Sequence, residues 1–318
     1  MVGIYGTIKR QIFFVCIWLI FAVGVTKVLY RDFGRTGARV SVLGFGAMRL
    51  PMIELNGRKA IDEDKAIPVI RKAYELGVNY FDSAYGYCEQ QSEIVLGKAL
   101  KGIRDKVYIS TKFPMWKLEK REDYRIILEE QLKKLDVSYI DFYHFHGLRE
   151  QRYYEGVLKF NLIEETRRAK EEGLIKHISF SFHDKPEILK MLADTGCFET
   201  LLCQYNMLDR SNEDAMAYAK EKGMGVAVMG PVGGGRLAGM PMDMARELGL
   251  KIESSAELAL RFVLSNPNVD CVLSGMSSLE MVEENVAVAS RAGEPLSEDE
   301  KNAVIKLMEK IKRLSDLY

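Results

Sequence analysis

The sequence predicts a single α/β domain folded as a (β/α)8 barrel, the TIM-barrel architecture, and three observations carry that expectation. From residue 40 onward, short apolar runs alternate with amphipathic, helix-forming stretches. Eight such runs occur, apolar at nearly every position rather than every second one, as strands buried on both faces are. They occupy about 280 residues, the size of an eight-unit barrel. A doubly wound sheet is the competing arrangement, but its phosphate fingerprint is missing from the first strand-to-helix turn.

Taken in order, residues 40–46 read as a strand running into a glycine-rich turn. Asp62 caps a helix whose Ile67, Ile70, Ala73 and Tyr74 share one face, and Gly77 ends it. The strand carrying Asp82 follows, then a helix over Ser92–Leu100 and a strand over residues 106–112. A stripe of Ile127, Leu128, Leu132 and Leu135 marks the next helix, which delivers the chain to a strand over 140–146. The unit then recurs with helices around 162–172, 186–193 and 213–222, and strands at 177–182, 201–206 and 226–231. A longer glycine-rich loop and a helix through Leu258, Leu260, Phe262 and Val263 reach the last strand at 271–275. Helices around Leu279–Ala289 and 298–314 finish the chain. No repeat, low-complexity tract or linker divides it, so residues 28–318 are read as one domain.

The bulk composition narrows the function. Of 318 residues, 45 are Lys or Arg and 45 are Asp or Glu, so the net charge gives no reason to expect nucleic acid or an anionic surface as partner. The five cysteines form no C-x-x-C pair, which argues against a disulfide framework or a zinc site and for a reducing, cytoplasmic setting. Residues 1–27 stand apart. Lys9-Arg10 precedes an uncharged, mostly apolar stretch from Gln11 to Thr26, with small residues Ala22 and Gly24 where cleavage could follow, the layout of an export signal or anchor. The other explanation is that translation starts near Val28. A membrane association is expected only if this segment is made and retained.

In a barrel of this kind the active site lies at the carboxyl ends of the strands. Asp82, Lys112 and His146 fall at the ends of three consecutive strands, the second, third and fourth. Tyr87 lies five positions past Asp82, in a loop able to fold back over the mouth. Lys112 is expected to favour the phenolate and lower the Tyr87 pKa, with Asp82 keeping the lysine charged. That arrangement makes a general acid for a developing alkoxide, and His146 adds a hydrogen bond to a carbonyl oxygen. Each residue alone has a plainer explanation: a helix cap, a rim charge, a core histidine. Their joint placement favours chemistry.

The same residues lie in an ordered set of motifs: FGRTG-x-x-VSVLGFGAMRLP, NYFDSAYGYCEQQSE, VYISTKFP, IDFYHFHGL and SGMSSLEMVEEN. Together they resemble the aldo-keto reductase family over residues 30–285. The resemblance implies that Asp82, Tyr87, Lys112 and His146 take the family's catalytic places, with Tyr87 rather than Tyr85 as proton donor. It further implies hydride transfer from NADPH, or NADH, to a small aldehyde or ketone.

On the cofactor side the resemblance implies Gly46, Ala47 and Met48 on the first loop and Ser181 at the carboxamide, with Phe182 in place of the usual asparagine. Gln204 stands two residues from Leu202, which takes the place of a glutamine, and Met229 occupies the place of a stacking aromatic ring. Gly230, Pro231, Val232 and Gly233 open a glycine-rich loop, continuing to Arg236 and Leu237, that suits close approach to a pyrophosphate. Ser277 and Glu280 have capping-box spacing at a helix start where a phosphate can sit. Glu284 and Asn285 match the adenine-side pair, whereas Gly275 and Met281 replace the lysine and arginine that often hold the 2′-phosphate.

The pattern is closest to a subgroup bearing a ferredoxin-like domain after the barrel, but no cysteine follows Cys271, so no iron–sulfur cluster is expected in this chain. Pocket-lining roles are expected for Met48, Trp116, Phe182 and residues 147–156. Two rival functions are a nucleotide-binding regulatory subunit with little turnover, and a barrel hydrolase using His144 and His146 as metal ligands. The substrate and the oligomeric state are not set by these motifs.

Overall fold

A computed structural model describes residues 28–235, 237, 245, 246, 249, 250 and 252–315. The segment before Val28 and Arg236 in the glycine-rich loop lie outside the described residues. Eight parallel strands close into a barrel: β3 (Leu43–Gly46), β6 (Tyr80–Asp82), β7 (Tyr108–Phe113), β8 (Ile140–Leu148), β9 (Ile175–Phe182), β10 (Thr200–Gln204), β11 (Gly225–Met229) and β12 (Cys271–Ser274). β12 pairs with β3 through Leu273 and Gly44, which closes the ring. The strands contain Val, Ile, Leu, Phe and Tyr on both faces because one face fills the barrel and the other meets helices.

The helices follow the predicted places: α1 (Glu63–Glu75), α2 (Ser92–Leu100), α3 (Asp123–Leu135), α4 (Leu162–Glu171), α5 (Pro186–Asp194), α6 (Glu213–Glu221), α7 (Ser255–Leu264), α8 (Leu279–Ala289) and α9 (Glu298–Ser315). Ile127, Leu128, Leu132 and Leu135 are buried along one side of α3, as their spacing requires. Among the described residues no helix is long and apolar enough to cross a membrane.

Three local expectations are corrected. The run read as one strand over 40–46 is two. Arg39–Ser41 (β2) pairs antiparallel with Tyr30–Asp32 (β1), and only Leu43–Gly46 enters the barrel. The hairpin made by β1 and β2 plugs the amino-terminal end. Phe33 at its tip packs edge-on against Tyr80 and Phe142, with ring centroids 5.6 and 5.0 Å away. Burying such a ring stabilises by roughly 1.5–3 kcal/mol, which explains why an apolar run continuous in sequence serves two sheets. A second hairpin, β4 (Met52–Leu55) and β5 (Arg58–Ile61), was not foreseen; its tip is Asn56-Gly57, both with positive φ.

The other two corrections concern caps. Asp62 precedes α1, but its carboxylate pairs with Lys65 and accepts no backbone cap bond. At α8 the cap is Ser278, which accepts from the Met281 amide, so the Ser277–Glu280 capping box does not form. Ser277 instead lies near Met281.

Candidate active site

The barrel brings Asp82, Lys112, His146 and Tyr87 together at its carboxyl end. Asp82 ends β6, Lys112 lies near the end of β7, and His146 lies near the end of β8. Lys112 is one of the largest fully buried side chains among the described residues. Its ammonium donates to Asp82 Oδ2 and to the Ser83 carbonyl, both at 2.6 Å. Ser110 donates to the other Asp82 oxygen at 2.6 Å. Ser110 and Lys112 are two apart on one strand and so share a face, a spacing that would have revealed Ser110 in the sequence.

Electrostatics sets the protonation states. Burial works against the Lys112 charge, but Asp82 and then Tyr87 outweigh it and raise its pKa above the ordinary lysine value. Tyr87 departs from expectation. Burial raises its pKa, and the lowering effect of Lys112 does not overcome this, so the phenol remains the protonated species at neutral pH. A proton donor needs that form at the start of its step. Burial, then Lys112, His183 and Arg152, push the His146 pKa down to about 3, leaving a neutral imidazole. The Tyr87 ring stands edge-on to that imidazole, centroids 6.2 Å apart, with the Lys112 ammonium 4.9 Å from the Tyr87 ring centre.

The loop that carries Tyr87 is tightly held. Cys88, Glu89 and Gln90 all have positive φ, between 49° and 66°, an uncommon run for residues with a Cβ. The Ser92 amide bonds back to the Tyr87 carbonyl, and the Ser92 hydroxyl donates to Ala47 on the first loop. The Gln91 side chain accepts from Ile61. These contacts fix the turn that aims Tyr87 inward. Tyr85 has a different place: it is buried, donates to Glu130 at 3.0 Å and accepts from Lys117 at 2.7 Å. It is a packing residue.

Behind Lys112 lies a buried polar network absent from the sequence reading. Gln131 donates to the Lys112 carbonyl at 3.1 Å and accepts from Tyr143. Glu93 accepts from Thr111 and from Gln131, and burial raises its pKa. These residues sit on helices and strands outside the barrel mouth, so nothing in their spacing marks them as a unit.

The residues expected on the cofactor side lie at or just beyond the ends of β3, β9, β10, β11 and β12, and on α8. Gly46 ends β3 beside Ser274 and Gly275, where an added Cβ would lie 3.4 Å from the Ser274 carbonyl. Ala47 is buried and Met48 exposed. The Ser181 hydroxyl accepts from the Gly147 amide at 2.7 Å. Gln204 borders Gly230, and Asn206 donates to the Gly230 carbonyl at 2.9 Å. Met229 ends β11 half-buried; Pro231 and Val232 follow, and Gly230 and Gly233 have positive φ. Ser277 precedes α8. Asn285 is buried and donates to Ser274, while Glu284 accepts from Ser254. Arg49, unremarked in the sequence, spans from the first loop to the Gly234 carbonyl at 3.4 Å, with its stem against Gly275.

Of the expected pocket residues, Trp116 and Met48 are exposed, and Trp116 lies 5.1 Å from the His146 ring. Phe182 is instead buried, with Phe180 6.3 Å away, because its side of β9 faces the helices. His144 is fully buried, and burial, then Lys112, hold it neutral. Among the described residues no three His, Cys, Asp or Glu side chains gather as metal ligands.

Gly230 and Gly233 on the rim have positive φ and leave backbone open to the close approach that a nicotinamide cofactor needs, and the buried His146 Nδ1 has no protein partner. A closed barrel of eight parallel strands, with polar side chains gathered at their carboxyl ends, is the architecture of a (β/α)8-barrel enzyme. A sequence profile of the Aldo/keto reductase family matches residues 42–247, and the chain belongs to that family. L-galactose dehydrogenase of Arabidopsis thaliana is 31% identical, with 92% of this chain and 98% of that protein covered. An NADH-specific methylglyoxal reductase of Escherichia coli is 26% identical over 71% of this chain and 83% of its own length. Among solved structures, the holo form of an aldo-keto reductase from Bacillus halodurans superposes with a TM-score of 0.72 at 29% identity, covering 88% of this chain and 96% of that one. The protein is thus an NAD(P)H-dependent aldo-keto reductase, an enzyme class that acts on small carbonyl compounds.

Proposed function

We propose that this enzyme reduces an aldehyde or ketone, with Tyr87 as proton donor, Lys112 and Asp82 as the pair that supports it, and His146 orienting the carbonyl. The observation that carries the reading is the buried Lys112–Asp82 contact at 2.6 Å, beneath a protonated phenol and beside a neutral imidazole. Bound NAD(P)H supplies the hydride. Gly46, Ala47 and Met48 border it on one side. Ser181, Gln204 and Met229 line the nicotinamide end, with Gly230, Pro231, Val232 and Gly233 along the pyrophosphate. Gly275, Ser277, Glu284 and Asn285 complete the adenine end.

As negative charge grows on the substrate oxygen, Tyr87 releases its proton to it. Lys112 stabilises the phenolate left behind, a charge–charge effect that is strong because both groups are buried. Asp82 keeps Lys112 ionised and fixed in place. His146, neutral at working pH, holds the carbonyl oxygen by a hydrogen bond without competing as an acid. NADPH is taken as the hydride source by the family resemblance, and NADH is the second, because Gly275 and Met281 stand in place of the lysine and arginine that would favour the 2′-phosphate.

The test is oxidation of NADPH and of NADH with a panel of aldehydes, ketones and quinones. Turnover that requires Tyr87 supports the reading. One tightly held metal per chain, with activity abolished by chelation, contradicts it.

A further inference from the structure

The wall of the mouth beyond His146 carries two arginines and a histidine: Arg149, Arg152 and His183. β8 ends in Gly147 and Leu148, and the next residues, Arg149 to Arg152, turn back over the strand end. Arg152 Nη1 donates to the His146 and Gly147 carbonyls, at 3.2 and 2.9 Å. This clamps the guanidinium directly behind the residue whose imidazole faces the site. A Cβ added at Gly147 would lie 2.9 Å from Arg152 Nη1 and 3.9 Å from His183 Cδ2, so the two side chains flank that glycine. Gly147 has φ +60°, a further reason for glycine there.

The clamp uses only Nη1. A guanidinium has five donors in a planar fork, and here Nε and Nη2 have no protein acceptor among the described residues. No carboxylate among the described residues forms an ion pair with Arg152 or Arg149. The nearby Asp184 carboxylate accepts from the Glu150 and Lys185 amides, and the Arg149 charge adds to holding its pKa low. Burial and Arg149 lower the Arg152 pKa, and burial, Arg149, Arg152 and Lys112 lower that of His183. A clamp through Nη1 alone leaves the rest of the half-buried Arg152 fork available to an anion at the mouth.

We propose that the wall formed by Arg152, Arg149 and His183 is a subsite for an oxyanion, so that the preferred substrate is a carbonyl compound bearing a carboxylate or phosphate. The fork of Arg152 matches the paired oxygens of either group. Trp116, exposed and 5.1 Å from the His146 ring, lies on the same mouth. The proposal rests on the reductase reading for its carbonyl, and on the cationic wall alone for its anion.

Two substrate pairs test it: succinic semialdehyde against its methyl ester, and glyceraldehyde 3-phosphate against glyceraldehyde. In the parent, kcat/KM for the charged member of at least one pair should exceed that of its neutral partner by about 10–100-fold, the effect of a charge-assisted contact. The preferred pair distinguishes carboxylate from phosphate. Arg152→Met should reduce that ratio at least tenfold, mainly through KM. Arg149→Met, which removes no clamp, should reduce it less but in the same direction. Ratios near one in the parent, or unchanged in both variants, overturn the proposal.

A binding measurement keeps the two readings separable. Quenching of Trp116 fluorescence by succinate or inorganic phosphate, with succinamide as neutral control, should weaken in Arg152→Met. Such quenching without turnover of any carbonyl compound would uphold the anion subsite and contradict the reductase reading. Turnover without anion preference or quenching would do the reverse.

Discussion

Lys112 and Asp82 touch at 2.6 Å with 1% and 4% of their side chains exposed, a complete ion pair inside the barrel mouth. Removing one partner leaves the other as an uncompensated buried charge, which costs about 3–5 kcal/mol. Asp82→Asn and Lys112→Met should each destabilise by that order. The double variant Asp82→Asn, Lys112→Met should be more stable than the sum of the single changes implies. Urea unfolding of the four proteins measures this as a double-mutant cycle. Additive losses would show that the pair is not coupled.

Helix α2 lies so close to the end of α3 that a Cβ on Gly97 would sit 2.3 Å from the Leu135 carbonyl oxygen and 2.6 Å from its carbon. Alanine gains about 1 kcal/mol of helix propensity over glycine. Overpacking costs about 1–3 kcal/mol and the backbone contact here puts it at the upper end. Gly97→Ala should therefore lower the urea midpoint, with an unchanged slope. A raised midpoint would mean that α2 shifts freely.

The barrel was legible because its signal is repeated: eight buried strands leave eight apolar runs, each with its helix. Asp82, Lys112 and His146 were legible for a related reason, since a strand end fixes where a side chain emerges. What escaped depended on distant partners. The split at Val42 is decided by Phe33 packing on Tyr80 and Phe142, which no local pattern shows. The Tyr87 pKa was misjudged because a sequence shows the neighbouring charge and hides the burial that outweighs it. The Glu93–Gln131 network was missed because its partners are a backbone carbonyl and residues on other elements.

His146 gives the protein an acid-sensitive point. Its folded pKa, about 3, lies below the ordinary value of 6.5. The unfolded chain therefore binds the proton more readily, and stability falls as pH drops from about 6.5 toward 3. His146→Gln removes this titration while leaving the other groups in place. Unfolding free energy measured at pH 7, 5 and 4 should fall less steeply in the variant than in the parent. Parallel curves would show that the imidazole is not held neutral by the fold.

The central claim is that Tyr87 gives the proton, and Tyr87→Phe tests it most directly, with the ring retained and only the hydroxyl lost. Steady-state oxidation of NADPH or NADH with the best carbonyl substrate of the panel should show kcat lower by about 10²–10⁴-fold, the contribution of a placed general acid. Cofactor affinity, followed by fluorescence, should stay within a factor of about two, because the phenol proton is needed in the transition state rather than for cofactor binding. A variant that turns over as fast as the parent would contradict the account.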